Sequence, residues 1–413
     1  MNIIQEVGQS IMKKVVEHTP DRWLPGASPD GLRLQQGLIG APKSRVDGAL
    51  KVSGTAQFSA EVPMEDLLFA ALLYSAIPSG RITQLDTAAA EQAPGVALVM
   101  TYKNAPRMNA PKVMMTAPKA AGASDLPVMQ DDKVRWNGQA IAVVLATTQE
   151  QADYAKQQIV VAYEETPADT VFEKAMAHAR EPDSLLGEPP TVKVGDAEAA
   201  LEKADFVIDH LYTTPRHNHN AIELHATTVA WQGDKLIVHD ATQMVNASAW
   251  TLAEIFGIKE NQVRVMAPFV GGAFGGKGLW DHQILAVAAS RLAGKPVRVV
   301  LSREGVHRSV GGRTTTHQRV ALGANADGTL AALIHTGCAA MTPHNNCPEQ
   351  FLSGPAPVRH ANHEARPAGR RHEHCAQYLH ACARRVGWHL RPGVGIGRAG
   401  PRHADRPDRT APA

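Results

Sequence analysis

The sequence predicts a mixed protein: an α+β unit of ordinary domain size, then an α/β unit, then a tail with no native-like pattern. Three observations predict it. Short apolar runs of strand length alternate with helix-period segments from about residue 45 to 340. A glycine loop, Gly271-Gly272-Ala273-Phe274-Gly275-Gly276-Lys277, stands between a strand-like run and a helical pattern. From Pro357 onward neither periodicity survives.

Residues 1–40 form a polar lead-in with turn clusters at Pro25-Gly26 and Pro29-Asp30-Gly31. The α+β unit covers 41–168. In it, Leu67–Tyr74 and Ile141–Ala146 read as buried strands, and Ala88–Ala93 reads as a short helix before the strand Val96–Thr101. Thr148 opens an amphipathic helix to Gln158, followed by the strand Ile159–Tyr163. Residues 169–190 are the linker, and Pro, Gly and acidic residues crowd its end from Glu181 to Thr191. The α/β unit covers 191–356. Phe206–Tyr212, Thr227–Trp231, Leu236–Asp240, Val263–Val270 and Val297–Ser302 read as strands; Ser248–Phe256 and Asp281–Leu292 read as helices. Arg319–Ala324 and Leu330–Gly337 form a hairpin around Asn325-Ala326-Asp327-Gly328. The tail is 357–413.

The chain of 413 residues is long enough for two or more domains, each with its own core. Its net charge of +2 implies no general affinity for nucleic acid or membrane. No apolar run reaches bilayer length, and the N-terminus shows no signal-peptide pattern, which gives a cytoplasmic expectation. Cys338, Cys347, Cys375 and Cys382 contain no C-x-x-C pair. That argues against a disulfide framework and against an iron–sulfur cluster ligated by this chain.

Five of the seven loop residues are small, and glycine lets a ligand come close to main-chain N–H groups. Strand, loop and helix start together suit an anionic cofactor. Two other readings stand beside this one. Gly271, Gly276 and Lys277 fit G-x-x-x-x-G-K, but position 278 is Gly where a phosphate loop needs Ser or Thr. The loop could also serve only close packing of a strand on a helix. His217, His219 and His225 lack a carboxylate or Cys at metal-ligand spacing and read as polar loop and strand-edge residues.

Several motifs in order carry a resemblance. Arg45-Val46-Asp47-Gly48 with Lys51-Val52-Ser53-Gly54-Thr55-Ala56, then Ala221-Ile222-Glu223-Leu224-His225, then Thr242-Gln243, then the glycine loop, resemble the molybdopterin-binding large subunit of the xanthine dehydrogenase and aldehyde oxidase family. The likeness spans about 44–356. It implies an α/β hammerhead domain followed by an incomplete molybdopterin-binding domain, and an oxidoreductase that hydroxylates carbon with water. It implies that the pterin, not side chains, holds the molybdenum, so no protein metal ligand is expected. Gln243 would donate an amide hydrogen bond to a molybdenum oxo ligand. Phe274 and Gly275 would lie beside the metal, with Gly271, Gly272, Ala273 and Gly276 completing the cofactor-facing loop. Ala273 departs from the family's third glycine. Purine-oxidising members carry Glu where this chain has Gly278, which favours an aldehyde or a less polar aromatic heterocycle. The implied partners are a [2Fe–2S] small subunit and an FAD subunit, and the pterin could carry a cytosine dinucleotide. Periplasmic placement would follow only from co-export with a partner. The alternative is a non-catalytic fragment that keeps a subunit interface.

The tail departs from the family, which continues with an R-A-P-G-E segment and, much later, a general-base Glu worth roughly 10²–10⁴-fold in rate. If His380–Val386 is encoded CAT GCG TGC GCC CGG CGA GTC, the letters read one base later give M-R-A-P-G-E. Arg391–Gly400 likewise permits A-L-E-S-A-L-D-E-L-A, and Pro357–Asn362 permits R-Y-A-M-Q-T. The expectation is a frameshift near Pro357, a disordered tail and a chain inactive alone. The competing readings are a basic arm through Arg366, Arg370, Arg371, Arg384, Arg385, Arg391 and Arg398, or a metal site at His372-Glu373-His374-Cys375 with Cys382.

Overall fold

The structure, a computed structural model, describes residues 44–114, 117, 119–182, 190–341 and 363–371. The chain divides into two compact units, residues 1–56 and 57–413. In the first, the described part is a short helix, α1 (Gly48–Val52), preceded by an Asp47 carboxylate that pairs with Arg45 at 2.7 Å and Lys51 at 3.0 Å.

Among the described residues the second unit holds four sheets. Its first elements are β1 (Leu68–Tyr74), β2 (Gly80–Asp86), α2 (Ala88–Glu91), β3 (Val96–Thr101), β4 (Lys133–Val134), β5 (Ala140–Ala146), α3 (Gln149–Lys156), β6 (Val160–Glu165) and α4 (Phe172–Met176). Then come β7 (Val192–Val194), α5 (Ala197–Glu202), β8 (Phe206–Thr214), β9 (His217–Asn218), β10 (Ala226–Gln232), β11 (Lys235–Asp240), α6 (Val245–Phe256), β12 (Val263–Met266), α7 (Asp281–Ala293) and β13 (Val297–Val300). The last are α8 (Arg303–Ser309), β14 (Gly312–Arg313), β15 (Thr316–Ala324), β16 (Leu330–Met341) and β17 (His363–Arg371).

A seven-stranded sheet in the order β12-β11-β10-β13-β1-β5-β3 joins the two expected domains. Leu68 to Ala70 of β1 pair in parallel with Val297 to Val299 of β13. One core follows from this: Leu68, Leu72, Val143 and Leu145 pack with Val229, Leu236, Leu252, Leu285 and Val299. The linker region, in which α4 lies, separates two stretches of sequence that share this sheet, while the β4-β2-β6 sheet lies wholly before it and the β7-β17-β16-β15-β8 sheet wholly after it. β5 is buried at every position, as a strand covered on both faces must be, and that is why it reads as a continuous apolar run.

Helix ends follow the glycines. α6 stops at Gly257 (φ 63°) and α7 at Gly294 (φ 64°), both left-handed caps. Thr148 caps α3 by accepting the Gln151 N–H. The β15–β16 hairpin turns at Asn325–Gly328, with Gly328 at φ 83°. Three expectations differ from the structure. The strand expected over Val263–Val270 ends at Met266, the last residue in register with β11, and Pro268 beyond it has no N–H to donate. β2 was not expected; a bulge between Ile82 and Gln84 breaks its period-2 pattern. The tail holds β17, which runs parallel to β16 through main-chain pairing that needs no apolar sequence. The turn clusters of the lead-in, and Cys347, Cys375 and Cys382, lie outside the described residues.

Candidate functional site

The glycine loop runs between β12 and α7, beside the end of β11 and the segment that enters β10. Its conformation depends on residues with positive φ: Gly272 at 92°, Phe274 at 55° and Gly275 at 90°. Phe274 is the unusual one, a bulky side chain in the left-handed region, and it stands 61 % exposed. The turn closes with the Gly276 N–H donating to Ala273 O at 2.8 Å.

The remaining glycines make room for the protein itself. A Cβ on Gly271 would lie 2.6 Å from Glu223 Cβ, and one on Gly276 would lie 2.7 Å from the His219 ring. A Cβ on Gly278 would meet nothing nearer than Ala121 O at 3.6 Å. The loop is thus built for close packing on its inner side and for main-chain exposure on its outer side. Among the described residues, the N–H groups of Gly272, Ala273, Phe274 and Gly275 donate to no protein atom.

Gln243 follows β11 and is locked to the loop from both ends. Its N–H donates to Lys277 O at 2.8 Å, and its Oε1 accepts the Lys277 N–H at 3.3 Å. The side chain is exposed, and its Nε2 makes no hydrogen bond among the described residues. Thr242 adds a hydroxyl bond to Lys277 O at 3.2 Å.

A buried polar layer underlies the loop. Glu223 Oε2 accepts the Gly271 N–H at 2.6 Å and the Lys277 ammonium at 2.5 Å. Burial pushes the Lys277 pKa down, and Glu223 opposes that shift. His225 Nε2 lies 2.8 Å from Gly276 O, and the same oxygen accepts Trp280 Nε1 at 2.7 Å. Burial lowers His225 to about 4 and pushes His282, whose ring meets it edge-on at 5.7 Å, well below the usual histidine range. Asp240 ends β11. It accepts from Thr227 at 2.6 Å and from Gln283 at 2.8 Å, and burial raises it to about 6. Gln283 Nε2 also reaches Gly278 O at 2.8 Å, which ties α7 to the residue after the loop.

Two expectations are corrected here. The first turn of α7 is not the anion-facing end. Gln283 Oε1 accepts the Trp280 N–H at 2.5 Å, and burial pushes Asp281 of that turn up to about 6. The outward donors belong to the loop instead. His225 is not an edge residue either: it is buried against the loop, whereas His219 is half-buried in the segment after β9 with its ring beside Gly276, and His217 sits on an exposed strand, β9. Among the described residues no group of three or more His, Cys, Asp and Glu is placed to hold a metal ion. What the sequence did not disclose is the part played by Glu223. Its contact with the loop crosses about fifty positions and leaves no local periodicity.

The donor set fits an anionic, oxygen-rich cofactor. It offers four main-chain N–H groups without a protein acceptor on a loop with three positive-φ residues, an amide Nε2 on Gln243, whose Oε1 is bonded to that loop, and a loop lysine whose ammonium is taken up by Glu223.

Comparison with known proteins agrees. The family described as "Molybdopterin cofactor-binding domain" matches residues 177–352, and "Aldehyde oxidase and xanthine dehydrogenase, a/b hammerhead domain" matches residues 53–167. The chain is 33 % identical over 302 residues to the aldehyde oxidoreductase molybdenum-binding subunit PaoC of Escherichia coli O157:H7, covering 72 % of this chain and 39 % of that protein. It is 30 % identical over 300 residues to the nicotinate dehydrogenase large molybdopterin subunit of Eubacterium barkeri, covering 72 % of this chain and 69 % of that one. Its fold is similar to that of the aldehyde oxidoreductase from Desulfovibrio gigas, with a TM-score of 0.70 at 24 % identity over 81 % of this chain and 39 % of that chain. It thus spans about two fifths of the length of the PaoC subunit (39 %). With an α/β hammerhead segment, a molybdopterin-binding segment and the loop geometry all in place, the chain belongs to the molybdopterin-binding subunits of the xanthine dehydrogenase and aldehyde oxidase family.

Proposed function

We propose that this chain supplies the loop side of the molybdopterin site in a hydroxylase that oxidises an aldehyde or an aromatic heterocycle with water. The observation that carries the reading is the exposed pairing of Gln243 with the glycine loop. Lys277 N–H occupies Gln243 Oε1, so Nε2 is left as the donor, next to the unpartnered N–H groups of Gly272 to Gly275. When bound, the cofactor would supply a molybdenum centre that takes electrons from the substrate carbon. The protein's part is orientation: Gln243 would hold an oxygen on the metal, and Phe274 and Gly275 would border it. Gly271, Gly272, Ala273 and Gly276 set the loop's path. The room at Gly278 leaves no polar anchor there, which suits an aldehyde or a less polar ring.

In this reading electrons leave for a [2Fe–2S] subunit and an FAD subunit, and the pterin carries a cytosine dinucleotide. The chain works in the cytoplasm, or in the periplasm if exported with a partner; no described helix is long and apolar enough to cross a membrane. We infer further that 357–413 are read out of frame, since three separate stretches of the tail permit family-like strings in order one base later. In this reading the out-of-frame tail stands where the R-A-P-G-E segment would be, and the 413-residue chain does not turn over. The test is the nucleotide sequence from codon 345 onward, followed by dye reduction with an aromatic aldehyde by the frame-restored protein. An open shifted frame and aldehyde-dependent reduction support the reading. A shifted frame that closes at once contradicts it.

A further inference from the structure

Glu223 reaches both ends of the glycine loop with one oxygen. Its Oε2 accepts the Gly271 N–H at 2.6 Å and the Lys277 ammonium at 2.5 Å, and these are the first and last residues of the loop. Its own N–H donates to Gly271 O at 3.2 Å. The Lys277 side chain is 0 % exposed and that of Glu223 13 %, so the pair sits beneath the loop and not in the proposed cofactor site. A lysine at this position of G-x-x-x-x-G-K would be expected to reach outward for a phosphate; here its ammonium is turned inward and used.

Glu223 is itself held from behind. Arg303 donates to Asn220 Oδ1 at 2.9 Å, Ala221 O at 2.7 Å and Ile222 O at 3.1 Å, and Asn220 takes φ 44°. Three consecutive residues before the carboxylate are thereby fixed by one guanidinium. Gly271 then allows the approach, because a Cβ there would fall 2.6 Å from Glu223 Cβ.

We propose that Glu223 and Lys277 are positioning residues: one carboxylate oxygen staples the two ends of the loop and so keeps the N–H groups of Gly272 to Gly275 turned outward before any cofactor arrives. The proposal rests on the reading of the loop as a cofactor site, although neither residue is assigned a contact with the cofactor. The physics is selective. A loop with glycines at four of seven positions has much backbone freedom to lose. A conformation that pulls Lys277 away leaves a buried charge without its partner, which is strongly disfavoured, and one that pulls Gly271 away forfeits its charge-assisted bond to the carboxylate. Charge-assisted bonds of this length are roughly twice as strong as neutral ones. The staple therefore biases the empty loop toward one conformation.

Hydrogen–deuterium exchange on the full 413-residue chain, free of cofactor, tests this with Glu223→Ala, Lys277→Met and the double variant Glu223→Gln with Lys277→Met. The expected result is exchange across Gly271–Lys277 faster by about ten- to a hundredfold in either single variant, with peptides from β5 and β10 unchanged. The double variant removes both charges and keeps an oxygen for the Gly271 N–H; it should return the loop to within about threefold of wild type. Loop exchange at the wild-type rate in Glu223→Ala overturns the proposal, and so does a double variant as loose as the singles. If the single variants fail to fold, the double variant decides alone: a protected loop supports the staple and an unprotected one refutes it. Molybdenum content, measured separately, keeps the two readings apart. A frame-restored chain that never takes up molybdenum, while the 413-residue chain shows the exchange pattern, loses the cofactor reading and keeps the staple.

Discussion

Gly271 is small because Glu223 is close. The usual account of a glycine loop is room for a ligand, yet Gly271 and Gly276 face Glu223 and His219 at 2.6 and 2.7 Å from a Cβ position, while Gly272 and Gly275 supply positive φ. Gly271→Ala should lower unfolding free energy by about 1–3 kcal/mol through overpacking; a denaturant midpoint equal to wild type would show that the contact can give. His225 offers a second test. Burial, with help from Lys277 and against the pull of Gly276 O, lowers it from 6.5 to about 4. Between those values the unfolded chain binds a proton that the folded chain does not. Stability therefore falls as pH drops through that window, by up to about 1.4 kcal/mol per unit. His225→Gln keeps a donor for Gly276 O and does not titrate. Its midpoint should fall less than wild type between about pH 7 and about pH 4.5, whereas parallel curves would assign the acid sensitivity elsewhere.

At the scale of elements, α7 shows why some of the fold was legible and some was not. Residues His282 to Ser290 are all buried, so the helix reads as apolar on every side and is identified by length and by Gly294 at its end. Leu285→Ala, at 0 % exposure in the shared core, should destabilise by about 2–5 kcal/mol, and Leu292→Ala, at 40 %, by about 0.5 kcal/mol or less. Equal effects of the two, read from denaturant unfolding, would contradict the packing described. The loop and Gln243 were legible because small residues and a strand end leave a local signature. The polar layer beneath was not: Asp240, Gln283 and Glu223 meet across the fold, and spacing along the chain does not encode those meetings. β2 was hidden for a different reason, since its bulge shifts Ile82 and Leu85 off the period that would have revealed a strand.

At the scale of the molecule, the shared sheet changes the expected domain picture. β1 is paired on one side by β5 from its own segment and on the other by β13 from the next. The hammerhead segment cut out alone would expose a parallel edge of β1 and lose the facing core. Calorimetry on the whole chain should therefore show one transition for residues 57–341; two separated transitions would mean that the seven-stranded sheet does not transmit cooperativity. The central claim is that the loop and Gln243 form one side of a molybdopterin site that the in-frame chain completes. The most direct measurement is molybdenum per chain, for the 413-residue protein and for its frame-restored form, both made in cells that synthesise the cofactor. The account predicts little or no molybdenum in the first and close to one atom per chain in the second. No molybdenum in the frame-restored protein, or a full complement with aldehyde oxidation in the 413-residue chain alone, would contradict it.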